Sequence, residues 1–247
     1  MISGIKKKIR LYFIKKGMYG SYRQIEFSES DRILVVSPHP DDESIGCGAL
    51  IAKYHDNIEI LLITNGAKGN PEWDKDTTIK VRCREFSIAT KKVSKCHILM
   101  LEDSTFSYMD LRRQKFDYTK YNYIFVPNRH ESHPDHVKTY RFVCRILRRM
   151  NNKARILEYE VWTPLKKFNY FLDFSDYAQQ KWNAINCYNS QLKHVDYINK
   201  IKGLNCYRGL IVSKKYIECY YMKPNIYEKL FSVAYRLYCK IHTIRIL

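Results

Sequence analysis

The sequence predicts a single α/β domain: a Rossmann-like, mostly parallel sheet with helices on both faces. Three observations carry this. Short continuous apolar runs rich in β-branched residues recur along the first two thirds of the chain. Each is followed by a longer stretch with helical spacing of apolar residues. The two kinds of element alternate along the chain, which means crossover units.

The elements follow in order. Arg32–Ser37 is a buried strand, and Asp42–His55 a helix with Ile45, Ala49, Leu50 and Ala52 on one side. Ile58–Thr64 is a second strand, closed by the Asn65-Gly66 turn signal. Thr77–Val93 reads as a helix with Val81, Ile88 and Ala89 inward, and His97–Leu101 as a third strand. Tyr123–Pro127 is a fourth strand, His133–Met150 the helix after it, and Ile156–Trp162 a fifth strand. Beyond Asp173 the pattern is less regular: Ser175–Ile201 looks helical, and Gly203–Tyr221 is expected to hold one or two strands.

Of 247 residues, 45% are apolar, enough for a sizeable core. Eight scattered cysteines, none in a C-x-x-C pair, read as reduced core thiols rather than a disulfide framework. No apolar run is long enough for a membrane span or a signal peptide, so a cytoplasmic protein is expected. The net charge of +18 calls for an anionic partner: nucleic acid, a membrane surface or a phosphorylated substrate.

Much of that charge sits at the ends. Residues 1–25 form a basic extension in which Ile2, Ile5, Ile9 and Tyr12 have helical spacing among Lys6, Lys7, Lys8, Arg10, Lys15 and Lys16. Residues 223–247 repeat the theme, with an apolar stripe from Ile226 to Ile244 beside Lys229, Arg236, Lys240 and Arg245. Residues 26–222 are the globular domain between them. A basic amphipathic helix suits the surface of an anionic membrane, here its inner face; packing on the protein's own core is the competing reading.

Two short motifs carry the chemistry. Ser37-Pro38-His39-Pro40-Asp41-Asp42-Glu43 stands where the first strand runs out and a helix begins. His133-Pro134-Asp135-His136 occupies the matching place after the fourth strand. Carboxyl ends of parallel strands are where open α/β sheets gather functional groups. A cluster of His and Asp there suits catalytic zinc, which takes three such ligands and keeps a position open. The prolines stiffen both loops. Taken singly, each motif has a plainer reading: Asp41, Asp42 and Glu43 as helix-capping acids, and His133 and His136 as polar residues at a helix start. The pairing of the two motifs in one sheet favours the metal.

These residues resemble the metal-dependent de-N-acetylases of the LmbE-like, or PIG-L, family, which includes enzymes acting on N-acetylglucosaminyl phosphatidylinositol. The resemblance runs from about Arg32 to Tyr220. Beside the two motifs it includes Thr64-Asn65-Gly66, Arg82 and Glu85 with Ala89, Leu101-Glu102-Asp103, Glu160-Val161-Trp162-Thr163-Pro164, Lys181 with Ala184, Ser190-Gln191, Arg208-Gly209 and Glu218. It implies His39, Asp42 and His136 as ligands of Zn2+, with Fe2+ or another divalent ion as the alternative. It implies Asp41 as general base, His133 polarising the carbonyl or stabilising the oxyanion, and Asp135 orienting His133; a protonated His133 suits the oxyanion role. Arg82 and Asp103 are assigned to the sugar or a nearby phosphate; a solvated helix face is the plain alternative for Arg82.

The implied activity is removal of an N-acetyl group from an N-acetylglucosamine-type amino sugar on a glycan, lipid-linked or phosphorylated precursor. A small soluble glucosaminide is the alternative substrate. A basic nucleic-acid- or membrane-binding protein without catalysis is the alternative of another class, though no nucleic-acid motif is present. The chain departs from the family pattern at Ser37-Pro38, at Lys68, and over Asn128–Ser132, where many relatives carry a glycine-rich loop. These departures bear on substrate identity rather than on the catalytic set.

Overall fold

The computed structural model describes residues 22–223. The basic helices expected within 1–25 and 223–247 lie outside the described residues, apart from residues 22–25 and 223.

Among the described residues eight strands form one sheet. They are β1 (Arg23–Gln24), β2 (Ile33–Ser37), β3 (Ile58–Thr64), β4 (Lys95–Leu101), β5 (Tyr123–Pro127), β6 (Arg155–Tyr159), β7 (Tyr170–Asp173) and β8 (Ile217–Met222). Their order is β1-β7-β8-β6-β5-β2-β3-β4. All pairings are parallel except those of β8, which runs antiparallel to both β6 and β7. The helices are α1 (Asp42–Tyr54), α2 (Lys75–Ala89), α3 (Tyr108–Arg113), α4 (Pro134–Arg149), α5 (Ala178–Asn186), α6 (Asn189–Leu192) and α7 (Tyr197–Val212).

Strand alternation divides the core into two layers. Ile33 and Val35 of β2 point to one face and join α1, Phe86 of α2, Trp182 of α5 and Ile201 of α7. Leu34 and Val36 point to the other and join Leu111 of α3 and Phe142, Val143 and Leu147 of α4. A central parallel strand covered on both faces must be apolar at every position, which is why β2 reads as a continuous run.

The expected α/β fold is present, with changes at the edges. The stretch expected to be helical over 175–201 is broken into α5, α6 and the start of α7. Of Gly203–Tyr221, expected to hold one or two strands, residues 203–212 continue α7 and one strand follows, β8. That helix ends at Ser213, which takes the left-handed conformation (φ 58°), and the chain folds back over Gly209, where a Cβ would stand 2.2 Å from Lys214 O, so only glycine fits there. Strand β7 and helix α3 were not legible in the pattern. Arg23–Gln24, placed in the N-terminal extension on sequence grounds, pair with β7 at the sheet edge.

The strand order places the site. From β2 the chain steps to β3 and β4 on one side, while β5 and β6 lie on the other. The loops leaving the carboxyl ends of β2 and β5 therefore face each other across a topological switch point, the crevice where open α/β sheets bind ligands.

Helix α1 is held by contacts from far along the chain. Its backbone departs from helical geometry at Cys47 (φ −132°). Beyond this kink the amides of Ala49 and Leu50 donate to the two oxygens of Glu218, at 2.8 and 3.0 Å. Glu218 also accepts from Lys181 Nζ at 2.7 Å and from the Tyr220 hydroxyl at 2.6 Å, all fully buried. Gly46 sits where a Cβ would meet the Tyr159 ring at 2.2 Å. Among the described residues no helix is long and apolar enough to cross a membrane.

Candidate metal centre and active site

His39 lies just past β2, Asp42 opens α1, and His136 sits in the first turn of α4. Three atoms from these residues converge. His39 Nδ1 is 3.2 Å from Asp42 Oδ2 and 3.2 Å from His136 Nε2, and His136 Nε2 is 3.1 Å from Asp42 Oδ2. A four-coordinate zinc ion with bonds of about 2.0–2.1 Å needs ligand atoms about 3.3 Å apart. The observed triangle has the chemistry and the edge length for such an ion. His133 also stands near, and one nitrogen from each of His39, His133 and His136 falls within a 4.8 Å group. Asp42 completes the tighter set, because His133 Nδ1 is engaged as the helix cap, accepting from the Asp135 amide at 3.2 Å.

The electrostatics of the ion-free cluster agree. Burial disfavours a charge on His39, but hydrogen bonds to Asp135 and Asp42 outweigh it and push the imidazole up to about 10. For His136, burial is likewise overcome, chiefly by Asp42, and the value rises to about 9. Asp42 is held far below the carboxylate range despite its burial, by His136 and His39. Protons on two imidazoles thus balance a carboxylate that a divalent cation would neutralise instead.

Asp41 is the residue between the loop and α1, with φ 129°, a conformation that costs a non-glycine residue about 1–3 kcal/mol. Its neighbours hold it there. The Asp41 amide donates to Glu43 Oε2 at 3.2 Å. Glu43, fully buried, also accepts from Ser37 Oγ, Ser44 Oγ and the Tyr188 hydroxyl. Arg82 reaches over from α2, its Nη1 3.4 Å from Asp41 Oδ2 and its Nη2 bonded to Pro40 O. Burial raises the Asp41 carboxyl most; Arg82 pulls it back, Asp42 and Glu43 raise it again, and the result is about 7. A carboxylate poised near neutrality suits a general base.

His133 borders the cluster, its ring centroid 4.7 Å from that of His39 and 5.0 Å from that of His136. Its pKa is lowered, first by burial and then by the positive His39 and His136. With Nδ1 accepting a hydrogen bond, the neutral ring carries its proton on Nε2. The protonated imidazole expected on sequence grounds gives way to a neutral donor, and a bound cation would push the same way.

The second motif is wired differently from expectation. Asp135 does not turn its carboxylate to His133. Its Oδ2 lies 3.2 Å from His39 Nε2 and accepts from the Ser104 amide at 2.7 Å. It therefore orients His39, as the carboxylate does in the carboxylate–imidazole–metal arrangement of many zinc sites. Arg82 is only 3% exposed and is spent on Asp41 and Pro40 rather than offered to a substrate. Asp103 is buried, and its two oxygens accept from the amides of Gly66 (3.0 Å) and Lys68 (3.1 Å), so it ties down the loop after β3.

Residues 34–147 match the family model described as PIG-L: GlcNAc-PI de-N-acetylase. Over these residues, a little under half of the chain, the sequence is similar to the PIG-L family. The match covers β2 to α4 and so contains both motifs. Metal-dependent deacetylases are typical of that family, and the match supports an N-deacetylase hydrolase. No curated protein matches by sequence.

Solved structures share this fold. N,N'-diacetylchitobiose deacetylase from Pyrococcus horikoshii superposes with a TM-score of 0.67 at 22% identity, covering 78% of this chain and 84% of that one. A conserved protein from Thermus thermophilus gives 0.64 at 22% identity, covering 78% and 95%. GalB, the 4-carboxy-2-hydroxymuconate hydratase of Pseudomonas putida, gives 0.64 at 16% identity, covering 79% and 98%. The fold thus carries more than one chemistry, and the reaction has to be argued from the site.

Proposed function

We propose that this protein is a zinc-dependent hydrolase that removes the N-acetyl group of an N-acetylglucosamine-type amino sugar. The observation that carries the reading is the triangle of His39 Nδ1, Asp42 Oδ2 and His136 Nε2, with edges of 3.1–3.2 Å, beside a base at about 7. The donor set of two imidazoles and one carboxylate fits zinc and admits Fe2+. A divalent ion held there supplies Lewis acidity toward an amide carbonyl and its attacking water.

The chain's own residues divide the remaining work. Asp41, in its ionised form, accepts the proton of the attacking water and returns it to the leaving amine. His133 donates its Nε2 proton to the oxygen on which negative charge develops, a contribution commonly worth about 3–4 kcal/mol. Asp135 fixes the His39 ring. Arg82 and Glu43 hold Asp41 in its unusual backbone conformation.

The charge of +18 favours an anionic substrate, a phosphorylated or lipid-linked amino sugar, over a neutral soluble glucosaminide. The basic ends would bring the enzyme to an anionic membrane face carrying such a precursor. The deciding experiment is acetate release from paired substrates, N-acetylglucosaminyl phosphatidylinositol against free N-acetylglucosaminides, by zinc-loaded wild type and Asp41→Asn. Turnover by wild type and none by a metal-retaining Asp41→Asn is expected. Equal turnover by both proteins would reject the assignment of the base, and release from neither substrate would reject the activity.

A further inference from the structure

We infer that Glu131 is a positioning residue of the metal centre: it anchors the ligand His136 and, with the same carboxylate, fixes the loop that forms the rim of the site. The inference uses the metal-ligand reading of His136.

His136 turns Nε2 to the ligand triangle, which leaves its Nδ1 to carry the ring proton. That nitrogen is fully buried and has no hydrogen-bond partner among the described residues. The acid facing it is Glu131, whose Oε2 lies 3.7 Å away, with both side chains at 0% exposure. A buried N–H without an acceptor is costly, and a short rotation of either side chain closes this gap. His39 already has its carboxylate in Asp135; Glu131 gives His136 the equivalent support.

The other contacts of Glu131 explain why it is held in this place. Oε1 accepts from the Val161 amide at 3.0 Å, the Asn128 side-chain amide at 3.1 Å and the Thr163 amide at 3.2 Å. The Thr163 amide also reaches Oε2, at 3.1 Å. Two amides flanking Trp162 are thereby clamped. Trp162 is 46% exposed and stands edge-on to Tyr197, with centroids 5.5 Å apart. One carboxylate therefore links a metal ligand on α4 to the aromatic wall after β6.

Glu131→Gln separates the two roles. Glutamine keeps an oxygen for the Val161 and Thr163 amides but presents an NH2 group to the Nδ1 proton of His136. Zinc affinity of the metal-free full-length protein, measured by competition with a chromophoric chelator, is expected to fall about 10- to 100-fold in Glu131→Gln. The Tm of the metal-free variant should fall by clearly less than that of Glu131→Ala, which loses the clamp as well. The zinc-loaded wild type should also show a hydrogen-bonded imidazole N–H proton resonance that Glu131→Gln lacks. Unchanged zinc affinity in Glu131→Gln would overturn the inference. So would a metal-free Tm as low as that of Glu131→Ala, because the carboxylate would then be a loop clamp alone. Metal binding is read without substrate, so Glu131-dependent zinc binding in a protein that releases no acetate would reject the deacetylase reading and leave this one standing.

Discussion

His39 Nδ1 and His136 Nε2 stand 3.2 Å apart although 97 positions separate the two residues in the chain. Two ring nitrogens at that distance, each beside the same Asp42 oxygen, are held together by shared protons or by a shared cation. At pH 7 both imidazoles of the metal-free protein are protonated, with values of about 10 and about 9.

Zinc binding should therefore release about two protons at pH 7, read by calorimetry in buffers of different ionisation enthalpy. Affinity should weaken as pH falls. In the metal-free protein the sign for stability is opposite. The raised imidazoles contribute fully below 6.5, their ordinary value, and the contribution is lost as pH rises through about 9 and about 10. A metal-free Tm that climbs over that range would contradict the assignment.

Asp41 must be ionised to accept a proton. The rate kcat/KM should rise with pH through about 7, the value set by its burial against Arg82. Removing the guanidinium leaves burial less opposed, so Arg82→Gln should move this limb to higher pH. Asp41→Asn should lower kcat about 100- to 10,000-fold with zinc still bound. A pH profile unmoved in Arg82→Gln would show that another group titrates.

Gly46→Ala tests the packing beneath α1. The new methyl would stand 2.2 Å from the Tyr159 ring, whose hydroxyl is tied to Val36 O at 2.8 Å. Overpacking should cost about 1–3 kcal/mol in denaturant unfolding, and zinc affinity should fall because α1 carries Asp42. Wild-type stability in this variant would mean that the ring has room to move.

Lys181→Met breaks the buried pair with Glu218. Loss of one partner of such a pair commonly costs about 3–5 kcal/mol. The lower end is expected, since Glu218 keeps the Ala49 and Leu50 amides and the Tyr220 hydroxyl. Chemical denaturation measures the loss; a neutral outcome would imply that Glu218 takes up a proton when its cation is removed.

The strands that sandwich the site were legible because β2, β3 and β5 are buried on both faces and are apolar at nearly every position. Both His motifs were legible because they sit where those strands end. The wiring between them was not. Asp135 neighbours His133 in sequence yet serves His39, since α4 turns its carboxylate back toward β2. Glu131 reads as any acid in a polar loop, and only the meeting of β5 and β6 shows that it is buried. Arg82 and Asp103 carry the residue types of substrate contacts, but their charges are used within the protein. The irregular last third was misread because α7 carries glycines at 203 and 209, which weaken a helical signal that tertiary contacts override.

The family match stops at residue 147, yet the helix that carries Asp42 leans on Lys181 and Glu218. A fragment trimmed to the matched segment would keep all three ligands and lose the acceptor for two amides in the middle of α1. The recognisable half of this protein is therefore not an autonomous folding unit: its catalytic geometry is underwritten by a strand from the far end of the polypeptide, inserted against the grain of the sheet.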